Sequence, residues 1–144
     1  MSSEIEHTIQ ESPLFKHLCD KDRGDLVAAS SLKTFEKRQK IIEEDTVVDS
    51  LYIVLNGRVR VWTEGPKGEV ELKKMGPGAY FGEVSLMSGN RATATVQVIK
   101  GPAQVVAINR DKLLELVETD EKIRKMLQGV TLARAKDTIG KVFK

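Results

Sequence analysis

The residues whose types and spacing can do chemistry are gathered between Gly76 and Val96. That run reads Gly-Pro-Gly-Ala-Tyr-Phe-Gly-Glu-Val-Ser-Leu-Met-Ser-Gly-Asn-Arg-Ala-Thr-Ala-Thr-Val. It holds one carboxylate, Glu83, directly after a glycine, and one guanidinium, Arg91, eight residues later. Four of the chain's eleven glycines lie in it: Gly76, Gly78, Gly82 and Gly89. Glycines at 76, 78 and 82 let the backbone approach a ligand closely and take conformations that a Cβ forbids. A short helix beginning near Glu83, with Val84, Leu86 and Met87 as its apolar residues, would turn free N–H groups toward an anion. Arg91 offers that anion a planar fork of donors. Glu83 can hold the arginine and accept from a sugar hydroxyl. A carboxylate, a guanidinium and a helix N-terminus together are what a phosphorylated sugar requires.

Other chemistries find little support. His7 and His17 are far in sequence from Glu83, and no Cys/His cluster has metal-ligand spacing. No Ser-His-Asp set is evident, and Gly-Glu-Val-Ser-Leu lacks the strand-to-helix nucleophile elbow. The expectation is no catalytic residue, no metal and no cofactor. The lone Cys19 excludes an intrachain disulfide and suits a reducing cytosol. Beside Leu18 in a helical pattern, it reads as a buried structural thiol.

Composition frames the rest. A chain of 144 residues suits one domain with a single core. Its net charge of +2 is too small to argue for nucleic acid. The longest apolar run, Leu51 to Leu55, cannot span a membrane, and Met-Ser-Ser-Glu-Ile-Glu has no signal-peptide pattern. A cytoplasmic protein without membrane contact is expected.

The elements that must position the cassette follow from periodicity. Residues 1–11 are polar and read as a flexible arm or a short docked helix. Ser12-Pro13 is a helix start, with Leu14, Phe15 and Leu18 on one face. Asp20 can cap a second helix carrying Leu26 and Val27. Short strands follow at Leu32–Phe35 and Ile41-Ile42. Leu51–Leu55 and Arg58–Trp62 flank Asn56-Gly57, the strongest two-residue signal for a type I′ hairpin. Val70–Lys73 lies between the turns Gly65-Pro66-Lys67-Gly68 and Gly76-Pro77-Gly78. Thr93–Ile99 and Gln104–Ile108 flank Gly101-Pro102. About eight short strands at even spacing point to a β-sandwich or β-roll.

Asn109 then caps a helix over 110–118, and Thr119 or Asp120 caps another. Ile123, Met126, Leu127 and Val130 form one apolar stripe. Leu132, Ala135, Ile139 and Val142 form a second, rotated from the first, which suggests a partner helix and a homodimer seam. From Lys122 to Lys144 seven basic residues face one acid, Asp137, so residues 136–144 read as a basic tail.

The cassette resembles that of the cyclic-nucleotide-binding domain, shared by bacterial catabolite activator proteins, regulatory subunits of the cAMP-dependent kinase and some ion channels. Its motif, Phe-Gly-Glu-x-Ala/Ser-Leu followed by Arg-x-Ala-x-Val, is matched by Phe81-Gly82-Glu83-Val84-Ser85-Leu86 and then Arg91. The run Tyr52 to Val61 looks like the family's central hairpin. The resemblance covers about residues 12–135. It implies an α+β fold: an eight-stranded antiparallel, jelly-roll-like β-roll with N-terminal helices and two C-terminal helices. It implies that Glu83 takes a ribose 2′-hydroxyl and that Phe81, Gly82, Val84 and Ser85 line sugar and phosphate. Thr131 and Arg134 become candidate base contacts.

Two departures bear on the ligand. The family's arginine precedes the strand valine by four residues, whereas Arg91 precedes Val96 by five. If Val96 keeps its place, Ala92 takes the arginine position and Thr93 follows it, and a one-residue slip turns Arg91 away unless the backbone bulges. The second is Glu44-Asp45 where the family has Gly-Asp, which would force a positive φ on Glu44. The implied function is a small regulatory module binding cAMP, or next cGMP, and signalling through its C-terminal helix to a partner. The alternative is a fold that has lost nucleotide and serves as an interaction or dimerisation module. No helix-turn-helix pattern follows the last helix within these residues, so no direct DNA binding is expected.

Overall fold

In a computed structural model, the backbone is described for residues 2–89 and 91–129. Among these, six antiparallel strands form one curled sheet ordered β1-β6-β3-β4, with β2 on β6 and β5 on β3. The strands are β1 (Ser30–Phe35), β2 (Lys40–Ile42), β3 (Ser50–Gly65), β4 (Gly68–Met75), β5 (Tyr80–Phe81) and β6 (Thr95–Asn109).

The expected eight strands become six because two expected turns are bulges. β3 passes through Asn56-Gly57, and its register against β6 shifts on both sides of that pair. Gly57 takes φ +89°, whereas Asn56 is not among the positive-φ residues. A type I′ turn needs positive φ at both. A Cβ on Gly57 would lie 2.8 Å from Ala103 Cα, so the glycine serves close strand approach. β6 likewise runs through Gly101-Pro102, where Gly101 packs against the Lys37 amide. Both bulges bend the two long strands, which is how so short a sheet curls on itself. The turn at residues 65–68 is a true hairpin, with Gly65 paired to Gly68.

The helices also differ from expectation at the N-terminus. Residues 2–11 form α1 (Ser2–Glu11), docked by buried Ile5 and Ile9, so the flexible-arm reading gives way to the docked helix. Ser12 ends that helix instead of starting the next: its amide donates to Ile9 O at 3.2 Å. Residues 13–17 form turns, through which Leu14 and Phe15 reach the core. α2 (Asp20–Ala28) has Cys19 at its N-cap. Cys19 is exposed, which corrects the buried-thiol expectation: capping sets it outside the helix face that carries Leu26.

The cassette helix is α3 (Glu83–Ser88), and α4 (Arg110–Thr119) opens where the Asn109 side chain accepts from the Lys112 amide at 3.1 Å. Asp120 closes α4 and opens α5, residues 121–129, by accepting from the Ile123 amide at 3.1 Å. The His17 ring lies 3.3 Å from the same carboxylate. Ile123 and Leu127 are fully buried and hold α5 on the domain. Thr131, Arg134, the seam Leu132, Ala135, Ile139 and Val142, and the tail 136–144 lie outside the described residues. No helix among the described residues is long and apolar enough to cross a membrane.

Candidate functional site

The first half of the cassette is set by glycine geometry. Gly78, at φ +91°, turns the chain after β4. Its amide donates to Val54 O at 2.8 Å, and the Val54 amide donates to Ala79 O at 2.8 Å. The turn is thereby sewn to β3. β5 then pairs Phe81 with Tyr52, and the two rings stack at 5.2 Å. Burial, and then the Asp49 carboxylate, push the Tyr52 phenol above its ordinary pKa.

Gly82 follows at φ +98° and caps α3. A Cβ there would meet Ser50 O at 2.9 Å, so both conformation and space demand glycine. The sharp corner carries Glu83 inward, where it is 0% exposed. Ser85 and Leu86 are buried beside it, and Val84 is half-buried. Gly89, at φ +75°, ends α3 by donating to Ser85 O at 2.9 Å. A carboxylate carried into the interior by a glycine corner is the chemistry of a site, since burial of an ionisable group is costly on a merely structural surface.

The second half is built differently. Arg91 is exposed, and its Nη1 donates to the Asp45 carbonyl at 3.0 Å. Ala92 is buried. Its amide donates to Thr46 O and its carbonyl accepts from the Asp45 amide, both at 2.8 Å. Thr93 is exposed, and β6 begins at Thr95, with Val96 paired to Val61. The structure therefore gathers Phe81, Gly82, Glu83, Ser85 and Ala92 into the domain interior and turns Arg91 and Thr93 outward. The positive φ expected at Glu44 falls on Asp45, at φ +68°, a residue type that tolerates it better.

Glu44 is free for another task that sequence reasoning missed. Its carboxylate accepts from Thr63 Oγ1 at 2.8 Å and from the Glu64 amide at 3.1 Å. Its own amide donates to Thr95 Oγ1 at 3.0 Å. Tyr52 was missed as well, since it reads only as part of an apolar strand. Among the described residues no group of three or more His, Cys, Asp or Glu side chains could hold a metal.

Residues 32–120 match the family described as the cyclic nucleotide-binding domain. The chain belongs to that family. Cyclic nucleotide-binding domains are regulatory units, not catalytic ones. The cAMP-dependent protein kinase type II regulatory subunit of Drosophila melanogaster is 27% identical over 104 residues, covering 72% of this chain and 28% of that protein. The potassium/sodium hyperpolarization-activated cyclic nucleotide-gated channel 4 of Oryctolagus cuniculus is 28% identical over 133 residues, 92% of this chain and 11% of the channel. This chain thus spans only a small part of either relative. The regulatory domain of Toxoplasma gondii PKA, solved with cAMP, superposes with a TM-score of 0.72 at 27% identity, covering 79% of this chain and 43% of that one. The sensor domain of the transcriptional regulator DNR from Pseudomonas aeruginosa covers all of this chain and 98% of that one, with a TM-score of 0.80 at 20% identity, a likeness of fold alone.

Proposed function

We propose that this cyclic nucleotide-binding domain is a regulatory module that takes a cyclic mononucleotide against Gly82–Ser85, with cAMP ahead of cGMP. The observation that carries the reading is Glu83, wholly buried at a corner that only glycine can form. Its carboxylate accepts from the ribose 2′-hydroxyl, while Phe81, Gly82, Val84 and Ser85 line the sugar and phosphate. Likeness at 27% identity to a regulatory domain solved with cAMP supports the order of nucleotides. With Ala92 buried and Arg91 turned out, the phosphate meets no guanidinium. A charge-assisted contact of that kind contributes about 2–5 kcal/mol, so affinity is weak. Occupancy passes to a partner through α5 and the residues after it, as a shift between two packings about the Asp120 joint. Thr131 and Arg134 are the candidate base contacts on that path.

The outward Arg91 also favours a second reading, a domain that has given up nucleotide and acts as an interaction or dimerisation module. Its seam is Leu132, Ala135, Ile139 and Val142. Calorimetric titration with cAMP and cGMP separates the two. The first reading predicts saturable heat with a Kd of about 0.1–1 mM for cAMP and a weaker response to cGMP. Absence of heat up to about 5 mM of either nucleotide sinks it. Light scattering across concentrations that returns a monomer throughout sinks the homodimer.

A further inference from the structure

The ladder between β3 and β6 runs as far as Trp62 opposite Thr95, while β3 continues to Gly65 against β4 alone. Glu44 sits where those two strands part. Its side chain is bonded to Thr63 and Glu64, just beyond the last β3–β6 pair, and its amide is bonded to Thr95 at the start of β6. The next two residues bracket Ala92: the Asp45 amide donates to the Ala92 carbonyl, and the Thr46 carbonyl accepts from the Ala92 amide. Arg91 closes the ring on the Asp45 carbonyl. The turn itself is stiffened by Thr46 Oγ1, which donates to Glu43 O at 2.6 Å.

We infer that Glu44 is a positioning residue for the ligand site: through this clasp it decides which of residues 91 and 92 faces inward. The inference rests on the reading that ligand lies against Gly82–Ser85 and Ala92. The segment entering β6 consists of Ala92, Thr93 and Ala94, small residues that could adopt either register without steric objection. Something outside the segment must choose. The Glu44 carboxylate has the acceptors to do so, because one oxygen takes the Thr63 hydroxyl and the other the Glu64 amide. Glutamine at this position keeps one acceptor oxygen, and alanine keeps none. Both threonines it engages through hydroxyls, Thr63 and Thr95, are buried, so their partners cannot be replaced freely by bulk water.

The test uses the full chain, with Glu44→Ala and Glu44→Gln, each also combined with Ala92→Arg. Amide hydrogen exchange is read first, without ligand. Glu44→Ala is expected to speed exchange at Asp45 and Ala92 by about tenfold or more while leaving the β6 amides of Val105 and Val106 unchanged; Glu44→Gln is expected to speed it by less than about threefold. Titration with cAMP is read second. The Ala92→Arg chain is expected to lose about tenfold or more of its affinity when Glu44→Ala is added, and to keep most of it with Glu44→Gln. Unchanged exchange at Asp45 and Ala92 overturns the clasp, as does equal acceleration at every amide. Faster local exchange with undiminished cAMP affinity overturns its positioning role. If Ala92→Arg binds cAMP no better than the parent, the ligand reading fails, and the exchange result still decides the clasp.

Discussion

From Gly76 to Leu86 the cassette is shaped by its own backbone; from Arg91 to Val96 it is shaped by a neighbour. In the first stretch Gly78 and Gly82 take conformations that direct the chain, and β5 pairs with β3. In the second stretch no glycine or strand pair holds residues 91–94. Their conformation is set by hydrogen bonds to residues 44–46, about fifty positions away in sequence. Self-shaped segments keep their geometry wherever the motif appears. Segments held from outside follow whatever their partner presents. A one-residue change in the second stretch therefore alters the phosphate end while leaving the sugar end intact, and a domain can keep half of a site.

Predictions that would break or sharpen this contrast fall mainly on the first half. The largest effect belongs to Glu83. Glu83→Gln keeps size but replaces a charged acceptor, and loss of a charge-assisted hydrogen bond of about 1.5–3 kcal/mol lowers cAMP affinity by about 10–100-fold. Competition against a fluorescent cAMP analogue reads this, and an unchanged Kd would mean that Glu83 does not meet the ribose. Next comes Gly82→Ala. A Cβ at φ +98° and 2.9 Å from Ser50 O costs about 2 kcal/mol or more, a fall of about 4–8 °C in Tm. A Tm within about 1 °C of the parent would show that the corner is not glycine-dependent.

How much of this was legible in the sequence divides along the same line. The corner at Gly82-Glu83, the short helix after it and the turn at Gly76-Pro77-Gly78 were all readable, because each depends on residues next to one another. The caps at Asn109 and Asp120 were readable for the same reason. What was not readable depended on distant strands. Asn56-Gly57 carries a hairpin signal, but Ala103 and Lys100 press against Gly57 and make it a bulge inside one long strand. Two such bulges turned eight expected strands into six. α1 was obscured because its apolar contacts are few, Ile5 and Ile9 on an otherwise polar surface. The one-residue offset between Arg91 and Val96 could be counted in the sequence. Its consequence could not, since the choice between a bulge and a slip is made by Asp45 and Thr46.

The most direct test of the central claim, that Ala92 and not Arg91 occupies the phosphate position, is cAMP calorimetry on the parent chain, Arg91→Ala and Ala92→Arg side by side. The account predicts that Arg91→Ala changes Kd by less than about threefold, because its guanidinium is spent on the Asp45 carbonyl. It predicts that Ala92→Arg tightens binding by about 30-fold or more, by supplying the missing charge-assisted contact. Loss of binding in Arg91→Ala, together with no gain in Ala92→Arg, would contradict it.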